Sequence, residues 1–342
     1  MGTNIRDLVV KKEVDFEELK GKKLAVDSFN ILYQFLSTIR QRDGSLLMDS
    51  EGNVTSHLTG LFSRTTNFMK KGLKPAFVFD GKPPELKEKE RQRRRDVKLE
   101  AKKSYEKAKK EENIESMKKY ASRTSKLTGE MIEESKELVR ALGLPVVQAP
   151  SEGEAQVAHI VNKGEAFAGI SEDYDSLLYG VNRLVKNLTL TGRRKFGATY
   201  VTIKPNMIHI SDVLNNLGID QDQLIVLGIL VGTDYNPPGI KGIGPKTALK
   251  IVKEYGTDFD RIFEEVKWKE HYDIDWEEIY YLFKKMPIET DYEMSWNSIN
   301  KEKIHELLVE KHEFSKERVE KNIMELMKKE EDKKQKGLGD FV

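Results

Sequence analysis

Short apolar runs that alternate with helix-period segments dominate the first part of the chain. Residues 22–27 and 75–80 are apolar enough to form buried strands, and residues 30–40 and 57–71 space their apolar side chains as amphipathic helices do. A strand, a helix and a second strand in this order imply a parallel sheet, because the helix carries the chain back across it. The pattern therefore predicts an α/β fold with a central, mainly parallel sheet flanked by helices.

The rest of the chain resumes this pattern after a charged interruption. Residues 82–126 are mainly Lys, Arg and Glu, which predicts one or two solvated helices that stand away from the core. Beyond them, we expect strands near 145–147, 166–170 and within 183–203, and helices at 131–142, 211–216, 221–231 and 245–255. The last third is predicted to be helical, with Trp268, Trp276 and Trp296 as packing anchors, and the charge run 328–336 is predicted to be disordered.

The composition excludes several classes of protein. The 342 residues contain no Cys, which excludes a disulfide framework and a thiolate metal site and suits an intracellular, cytoplasmic protein. No apolar run approaches the roughly 20 residues of a membrane span, and the N-terminus lacks the apolar core of a signal peptide. Charged residues make up 34% of the chain but the net charge is only +1, so nucleic-acid binding has to be inferred from local clusters.

Acidic side chains follow the ends of several apolar runs, where an uncompensated charge is costly. They are Asp27, Asp80, Glu152, Glu154, Asp173, Asp175 and Asp234. Ligands of open parallel sheets bind beyond the carboxyl ends of the strands, where most of these acids are expected. Carboxylates that converge there repel one another, and hard divalent cations with oxygen ligands compensate them. Two cations about 3.5–4 Å apart could clamp a phosphodiester and generate hydroxide from bound water.

Each of these acids also has an ordinary structural interpretation. Asp27 could cap the helix that follows it, and Ser151 with Glu154 has the spacing of a capping box. Asp234 precedes a Pro-rich turn and could serve that turn. The seven acids lie in five separate segments of the chain. Five such segments favour a shared metal site over separate structural roles.

Two basic residues lie in the charged segment soon after Asp80. Lys87 and Arg94 are seven residues apart, which places both on one face of a helix. If that face lies over the acids, both cations could stabilise a transferring phosphate. The alternative is an ordinary solvated helix.

A glycine-rich turn precedes the helix expected at 245–255. Gly242 and Gly244 would let the backbone approach a phosphate, and the N–H groups at the helix start favour an anion. Pro245 suits the first helical turn, and Lys246 adds positive charge. This pattern indicates a helix–hairpin–helix element that grips a DNA duplex without reading bases, with a plain turn before a basic helix as the alternative.

The C-terminus joins a basic run to three spaced anchor residues. Gln335, Leu338 and Phe341 have the spacing of the motif through which replication proteins dock on a sliding clamp (PCNA). Val342 stands where a second aromatic residue is usual. We therefore expect clamp binding through this tail.

Together these motifs resemble the flap structure-specific 5′-endonucleases, and the layout is similar to that of archaeal members. The similarity runs almost from end to end and is most specific at Val78-Phe79-Asp80-Gly81-Lys82-Pro83-Pro84, Ala149-Pro150-Ser151-Glu152-Gly153-Glu154-Ala155, Asp173-Tyr174-Asp175 and Gly232-Thr233-Asp234-Tyr235. The resemblance implies a PIN-like 5′-nuclease core. The regions it implies are an N-terminal nuclease region (1–98), a helical arch (99–130), an internal nuclease region with the helix–hairpin–helix (131–258), a C-terminal helical region (259–327) and a flexible tail with the clamp motif (328–342).

The resemblance also implies a role for each candidate residue. Asp27, Asp80, Glu152 and Glu154 would hold one Mg²⁺, and Asp173, Asp175 and Asp234 would hold a second, with Mn²⁺ able to substitute. Lys87 and Arg94 match catalytic basic residues at the base of an arch through which the 5′ single strand threads. The DNA contacts that it implies are Tyr33, Arg40, Arg64, Glu152, Gly232, Asp234, Gly242, Gly244 and Lys246.

Three of these implied DNA contacts have simpler alternatives. Tyr33 would stack on a base near the scissile bond, a sequence-tolerant contact, although its apolar helical face also suits a core residue. Arg40 and Arg64 would touch the duplex, although both also suit solvated helix positions.

The implied activity is two-metal removal of 5′ flaps in DNA replication, including Okazaki fragment maturation, and in repair, with 5′–3′ exonuclease activity. Specificity would come from the shape of the DNA and not from its base sequence. We expect a monomer that binds flap or junction DNA and no membrane, and that associates with the nucleoid if the source is archaeal. Two other functions remain open: a related 5′-nuclease for repair bubbles or gaps, and a non-catalytic DNA-binding clamp adaptor, which would not need all seven acids.

Overall fold

A mixed sheet of seven strands forms the centre of the molecule. The computed structural model describes residues 2–111, 113–121, 124–189, 192–196 and 199–339. The strands are β1 (Lys12–Glu13), β2 (Lys23–Asp27), β3 (Lys74–Phe79), β4 (Val146–Gln148), β5 (Ala168–Ile170), β6 (Arg183–Lys186), β7 (Gly192–Phe196), β8 (Thr199–Ile203) and β9 (Asn206–His209). The sheet has the order β1-β9-β6-β5-β2-β3-β4, while β7 and β8 form a separate antiparallel pair. The neighbours from β4 to β6 are parallel and only β9 and β1 are antiparallel, so the predicted fold class is confirmed.

Helices cover the sheet and extend the chain beyond it. They are α1 (Phe16–Leu19), α2 (Ser28–Thr38), α3 (Ser56–Lys70), α4 (Glu88–Lys110), α5 (Ile114–Ala121), α6 (Gly129–Ala141), α7 (Gly153–Asn162), α8 (Asp175–Leu178), α9 (Ile210–Leu217), α10 (Gln221–Val231), α11 (Pro245–Tyr255), α12 (Phe259–Glu265), α13 (Trp268–His271), α14 (Trp276–Lys285), α15 (Lys301–His305) and α16 (Lys316–Gly339). Short 3₁₀ helices lie at Arg6–Leu8 and Glu85–Lys87, and a π-helix lies at Glu306–Lys311. In the described part of the chain, no helix is long and apolar enough to cross a bilayer.

The central strands bury side chains on both faces of the sheet. Leu24 and Val26 belong to one buried cluster, whereas Ala25, between them, belongs to the other. Phe77 and Val78 on the neighbouring strand divide in the same way. Period-two alternation sends successive side chains to opposite faces, so continuous apolar runs fit strands covered by helices on both sides.

The charged segment forms two helices that pack against each other. Over the length of α4, only Glu90, Ala101 and Ala108 are buried. This agrees with the predicted solvated helices. The three tryptophans serve as packing anchors in the C-terminal part, as predicted: Trp268 is buried, Trp276 stacks on Phe263 at a centroid distance of 4.5 Å, and Trp296 donates to the Pro75 carbonyl over 3.1 Å.

The backbone of the C-terminal segment differs from the prediction of a disordered charge run. It is helical from Lys316 to Gly339. Alternating acidic and basic residues at helical spacing favour such a helix through pairs such as Lys316 with Glu320.

Candidate active site

Four adjacent parallel strands each lead into an acidic residue at the same edge of the sheet. Asp27 ends β2, and Asp80 directly follows β3. Glu152 follows β4, and Asp173 follows β5, each after a short connection. The strand order β4-β3-β2-β5 therefore sets the acids side by side. Ligand sites of open parallel sheets occur at this edge.

Asp27 both caps a helix and faces the neighbouring loop. Its Oδ1 accepts from the Asn30 backbone N–H over 3.1 Å, which is the predicted helix cap. Its Oδ2 accepts from the Ser171 hydroxyl over 3.0 Å. Capping and membership of the acidic cluster are therefore compatible, because a carboxylate has about four acceptor positions.

The segment after β4 does not form the capping box that its sequence suggested. Ser151 donates instead to the Lys82 carbonyl over 3.0 Å, and Glu154 accepts from Ser176 over 3.3 Å. Asp80 accepts from the Gly153 backbone N–H over 3.0 Å at the start of α7. A Cβ on Gly153 would lie 2.4 Å from Asp80 Oδ1, so any larger residue there would displace the Asp80 carboxylate.

The loop after β5 carries the last two acids of the sheet edge. Asp173 Oδ2 accepts from the side-chain amide of Asn30 over 3.2 Å. Asp175 begins α8, and its Oδ1 accepts from the Thr3 backbone N–H over 2.6 Å. The N-terminal segment is thereby attached to the acidic site.

Lys87 and Arg94 both contact Asp234, so they lie on the same side, as their spacing predicts. Lys87 Nζ lies 2.6 Å from Glu152 Oε2 and 3.3 Å from Asp234 Oδ2. Arg94 Nη2 lies 2.5 Å from Asp234 Oδ1, and its Nε lies 2.7 Å from Glu90 Oε1. The base of the charged segment thus closes over the acids and is not merely solvated.

Burial and mutual repulsion raise the pKa values of four acids. Burial and then repulsion raise the pKa of Asp27 to about 6, and burial with the charge of Asp27 holds the pKa of Asp80 well above its usual range. Burial with the charge of Asp234 raises the pKa of Asp175 to about 6. Burial with the charge of Asp175 holds the pKa of Glu154 well above its usual range. The two halves of the site therefore interact electrostatically.

The pKa values of the two bases of the charged segment are raised as well, which for a base favours the charged form. Burial alone lowers the pKa of Lys87, but the charges of Glu152 and Asp234 outweigh it and the pKa is raised. For Arg94, the charges of Asp234 and Glu90 likewise outweigh burial and raise the pKa. Both side chains therefore stay positively charged.

The acids are close to one another but are not arranged as a finished metal site. Within the described ranges, no three His, Asp or Glu side chains have the geometry to hold an ion. Their chemistry nevertheless fits Mg²⁺, because every candidate is a carboxylate and Mg²⁺ is a hard cation. Glu152 Oε1 is moreover buried without a hydrogen-bond partner, and a cation at this position would satisfy it.

The three candidate DNA contacts on the first helices have different environments. The side chain of Tyr33 is 39% exposed, so it is not a core residue, and Lys98 Nζ lies 5.1 Å from its ring centre. Arg40 lies beyond the end of α2 and donates to the Gly44 carbonyl over 2.8 Å and to Ser125 over 2.6 Å. Arg64 is exposed on α3.

The glycine-rich turn lies between two helices that contact each other. Gly242 has a φ of 86°, and Gly244 caps α11, whose first residue is Pro245. Lys246 is exposed beside this helix start. The structure therefore has the predicted helix, turn and helix, with its cationic surface open to a partner.

Gly232 lies at the end of α10, two residues before Asp234. Its φ is 108°, and a Cβ there would lie 2.6 Å from the Gly239 backbone nitrogen. Only glycine allows this turn and close approach. The side-chain hydrogen bond of this turn joins Thr233 and Asn236 over 2.7 Å. The Asp234 carboxylate contacts Lys87 and Arg94 instead.

The clamp motif lies mostly outside the described structure. Gln335 and Leu338 belong to the backbone of α16, but their side chains are outside the described part, and Phe341 lies outside the described residues. Their predicted role stays a prediction.

Sequence reasoning missed several residues that contact the acids. Asn30, Ser171 and Thr3 all hydrogen-bond to them. The spacing of Asp27 and Asn30 is that of an N-cap and its N3 residue, so this backbone contact had a sequence signal. The contacts of Ser171 and Thr3 join distant parts of the chain, so no sequence signal indicated them.

The fold and the acidic edge together define a nuclease of the XPG class. The XPG N-terminal domain model matches residues 4–101, and the XPG I-region model matches residues 143–234. The chain belongs to the flap endonuclease 1 family. It is 48% identical to flap endonuclease 1 of Staphylothermus marinus, over 96% of this chain and 95% of that protein, and 50% identical to that of Pyrococcus horikoshii, over 96% and 94%.

Solved structures agree with this assignment. The flap endonuclease-1 from Methanococcus jannaschii is 40% identical, with a TM-score of 0.76 and coverage of 95% of this chain and 98% of that one. The catalytic core of Rad2 in complex with a DNA substrate is 23% identical, with a TM-score of 0.70 and coverage of 95% and 100%. The second likeness shows the shared fold. The resemblance inferred from the motifs is confirmed.

Proposed function

We propose that this chain is a structure-specific 5′-flap endonuclease that hydrolyses DNA phosphodiesters at single-strand/duplex junctions in replication and repair, including Okazaki fragment maturation. Exonuclease activity in the 5′–3′ direction accompanies it. One observation carries the proposal: acids after four adjacent parallel strands meet two cations from the base of the charged helix. Membership of the flap endonuclease 1 family supports the same activity.

The carboxylates are proposed to hold two Mg²⁺ ions, with Mn²⁺ able to substitute. The first group is Asp27, Asp80, Glu152 and Glu154, and the second is Asp173, Asp175 and Asp234. Bound there, the ions would supply a hydroxide nucleophile and offset charge on the phosphate.

The residues of the chain itself bind and orient the DNA. Lys87 and Arg94 present positive charge at the mouth of the acidic site, where a phosphodiester has to enter against seven carboxylates. Such fixed charges act most strongly where water is excluded. A cavity of about 190 Å³ lies beside Asp234 and is lined by Gly2 and Thr233, among others.

The duplex is proposed to lie along the glycine-rich turn. The start of α11 offers free backbone N–H groups and the exposed Lys246, which together suit a backbone phosphate. Tyr33 is exposed enough to stack on a base. These contacts read no base edges, so selection depends on the shape of the DNA.

The proposed partners and setting follow from the same function. The tail with Gln335, Leu338 and Phe341 would dock on a sliding clamp. The protein would act as a monomer in the cytoplasm, next to chromosomal DNA.

Cleavage of a labelled double-flap DNA tests the proposal. Wild-type protein should release the flap with Mg²⁺ and not with a chelator, and Asp175→Asn should retain flap binding but lose cleavage. Asp212→Asn on α9 is the matched control, since Asp212 is exposed outside the acidic cluster. Unchanged cleavage by Asp175→Asn would refute the metal assignment.

The same assay separates the two other functions. A non-catalytic clamp adaptor would bind the flap with no cleavage by wild-type protein. A related nuclease for bubbles or gaps would cut those substrates faster than the double flap.

A further inference from the structure

Asn30 bridges two acids that belong to different proposed metal sites. Its backbone N–H donates to Asp27 Oδ1 over 3.1 Å, and its side-chain Nδ2 donates to Asp173 Oδ2 over 3.2 Å. Its side-chain Oδ1 accepts from the Glu172 backbone N–H over 3.1 Å. The donor on Glu172 and the acceptor on Asp173 fix the orientation of the amide, because only one rotamer satisfies both.

Ser171 forms a second bridge between the same two residues. Its hydroxyl donates to Asp27 Oδ2 over 3.0 Å and accepts from the Asp173 backbone N–H over 3.2 Å. A hydroxyl has one proton to donate and two acceptor positions. Asp27 accepts the proton, and the Asp173 N–H uses one acceptor position. Ser171 is 1% exposed, so water does not compete for these bonds.

The two bridges hold Asp27 and Asp173 together against their mutual repulsion. Asp27 and Asp173 repel each other when both are ionised. The bridges use only two acceptor positions on Asp27 and one on Asp173, while each carboxylate has about four. The two bridges by themselves therefore do not saturate either carboxylate.

We propose that Asn30 is a positioning residue that fixes Asp173 of the second metal site relative to Asp27 of the first, with Ser171 as the supporting bridge. This role rests on the proposed function, since it concerns the same two sites. Outer residues that orient metal ligands typically change metal affinity or activity by about 10–100-fold when they are removed. Neither residue contacts substrate in this role.

Asn30→Ala tests the role through metal affinity. The Mg²⁺ concentration for half-maximal flap cleavage should rise about 10–100-fold, and saturating Mg²⁺ should restore most of the rate. Calorimetric titration with Ca²⁺, which needs no turnover, should show weaker binding by a similar factor. Ser171→Ala should shift both quantities in the same direction, and it replaces Asn30→Ala as the test if that variant does not fold.

Asn216→Ala, at an exposed position on α9, is the matched control and should behave as wild type. Wild-type metal affinity in a folded Asn30→Ala or Ser171→Ala variant would overturn the positioning role. So would a loss of rate that Mg²⁺ does not restore with Ca²⁺ binding unchanged. If the wild-type protein itself neither bound Ca²⁺ nor cleaved a flap, the proposed function would fail instead, so the two failures are distinct.

Discussion

The ammonium group of Lys87 lies 2.6 Å from Oε2 of Glu152, the acid that follows β4. This contact joins the start of α4 to the sheet edge, and Lys87 Nζ also lies 3.3 Å from Asp234. One side chain thus spans acids that we assign to different metal sites. A positive charge that bridges both sites is placed to meet the phosphate that would lie between them.

Lys87→Met should therefore lower the single-turnover rate of flap cleavage by about 10²–10³-fold, the usual effect of removing one charge-stabilising donor. The Met side chain keeps the length and removes the charge. Lys89→Met is the control, because Lys89 is exposed in the first turn of α4, two residues after Lys87. Equal effects of the two substitutions would mean that Lys87 acts only through general attraction of DNA.

Arg94→Ala should lower the cleavage rate more than the affinity for flap DNA. Arg94 is fixed by Asp234 and Glu90, so its charge lies within the site and not on the outer surface. We expect a rate loss of about 10²-fold or more and a change in the dissociation constant of a few-fold. Arg95→Ala is the control, since Arg95 is exposed and pairs with Glu88. An affinity loss as large as the rate loss would make Arg94 a binding residue only.

Much of the fold follows from apolar runs, and the exceptions have physical reasons. The predicted strands at 22–27 and 75–80 agree closely with β2 and β3, because these strands are buried on both faces. Strand β1 was not predicted, because its two residues are exposed and charged. Its place in the sheet comes from backbone pairing with β9. The sequence also predicted which acids meet at the sheet edge. It could not show that Lys87 reaches Glu152, because that contact depends on how α4 leaves the core.

Divalent-ion binding should weaken as the pH falls through about 6. Burial raises the pKa values of Asp27 and Asp175 to about 6, and both must lose their protons to bind a cation. Below this pH, protons on Asp27 and Asp175 compete with the ion, in addition to any on Asp80 and Glu154, whose pKa values are also raised. Calorimetry with Ca²⁺ at pH 5.5 and 7.5 should show weaker binding and more proton release at the lower pH. Binding that is independent of pH over this range would contradict the assignment of these two acids as ligands.

Deletion of residues 335–342 should abolish stimulation of cleavage by the sliding clamp and leave clamp-independent cleavage unchanged. The removed segment contains Gln335, Leu338 and Phe341 and none of the acids proposed as metal ligands. Rates on a double flap, with and without clamp, measure both quantities in one experiment. Lys334→Ala, outside the motif, controls for the loss of Lys336, the one basic residue of the deleted segment. A parallel loss of both activities would argue against a separate docking motif.

A second polar network, made of residues other than the proposed metal ligands, connects the loop before α3 to α6 and to the residues that precede α16. His312 contacts Asp49 over 2.9 Å through Nδ1 and Glu134 over 2.8 Å through Nε2. Lys311 also lies 2.7 Å from Glu134, and His57 lies 3.4 Å from it. Burial alone would raise the pKa of Glu134, but these partners outweigh it and lower the pKa to about 2.

Acidification should therefore destabilise the protein through Glu134. Its folded pKa of about 2 lies below the unfolded value of 4.5, so its contribution is complete above pH 4.5 and is lost as the pH falls towards 2. The shift corresponds to roughly 3 kcal/mol at most. Glu134→Gln should lower the free energy of unfolding at pH 7 and flatten its decline below pH 4.5, as measured by urea denaturation. Glu133→Gln is the control, because Glu133 is exposed and pairs only with Lys136 among the ion pairs of the described residues. An equally steep decline in Glu134→Gln would place the acid sensitivity elsewhere.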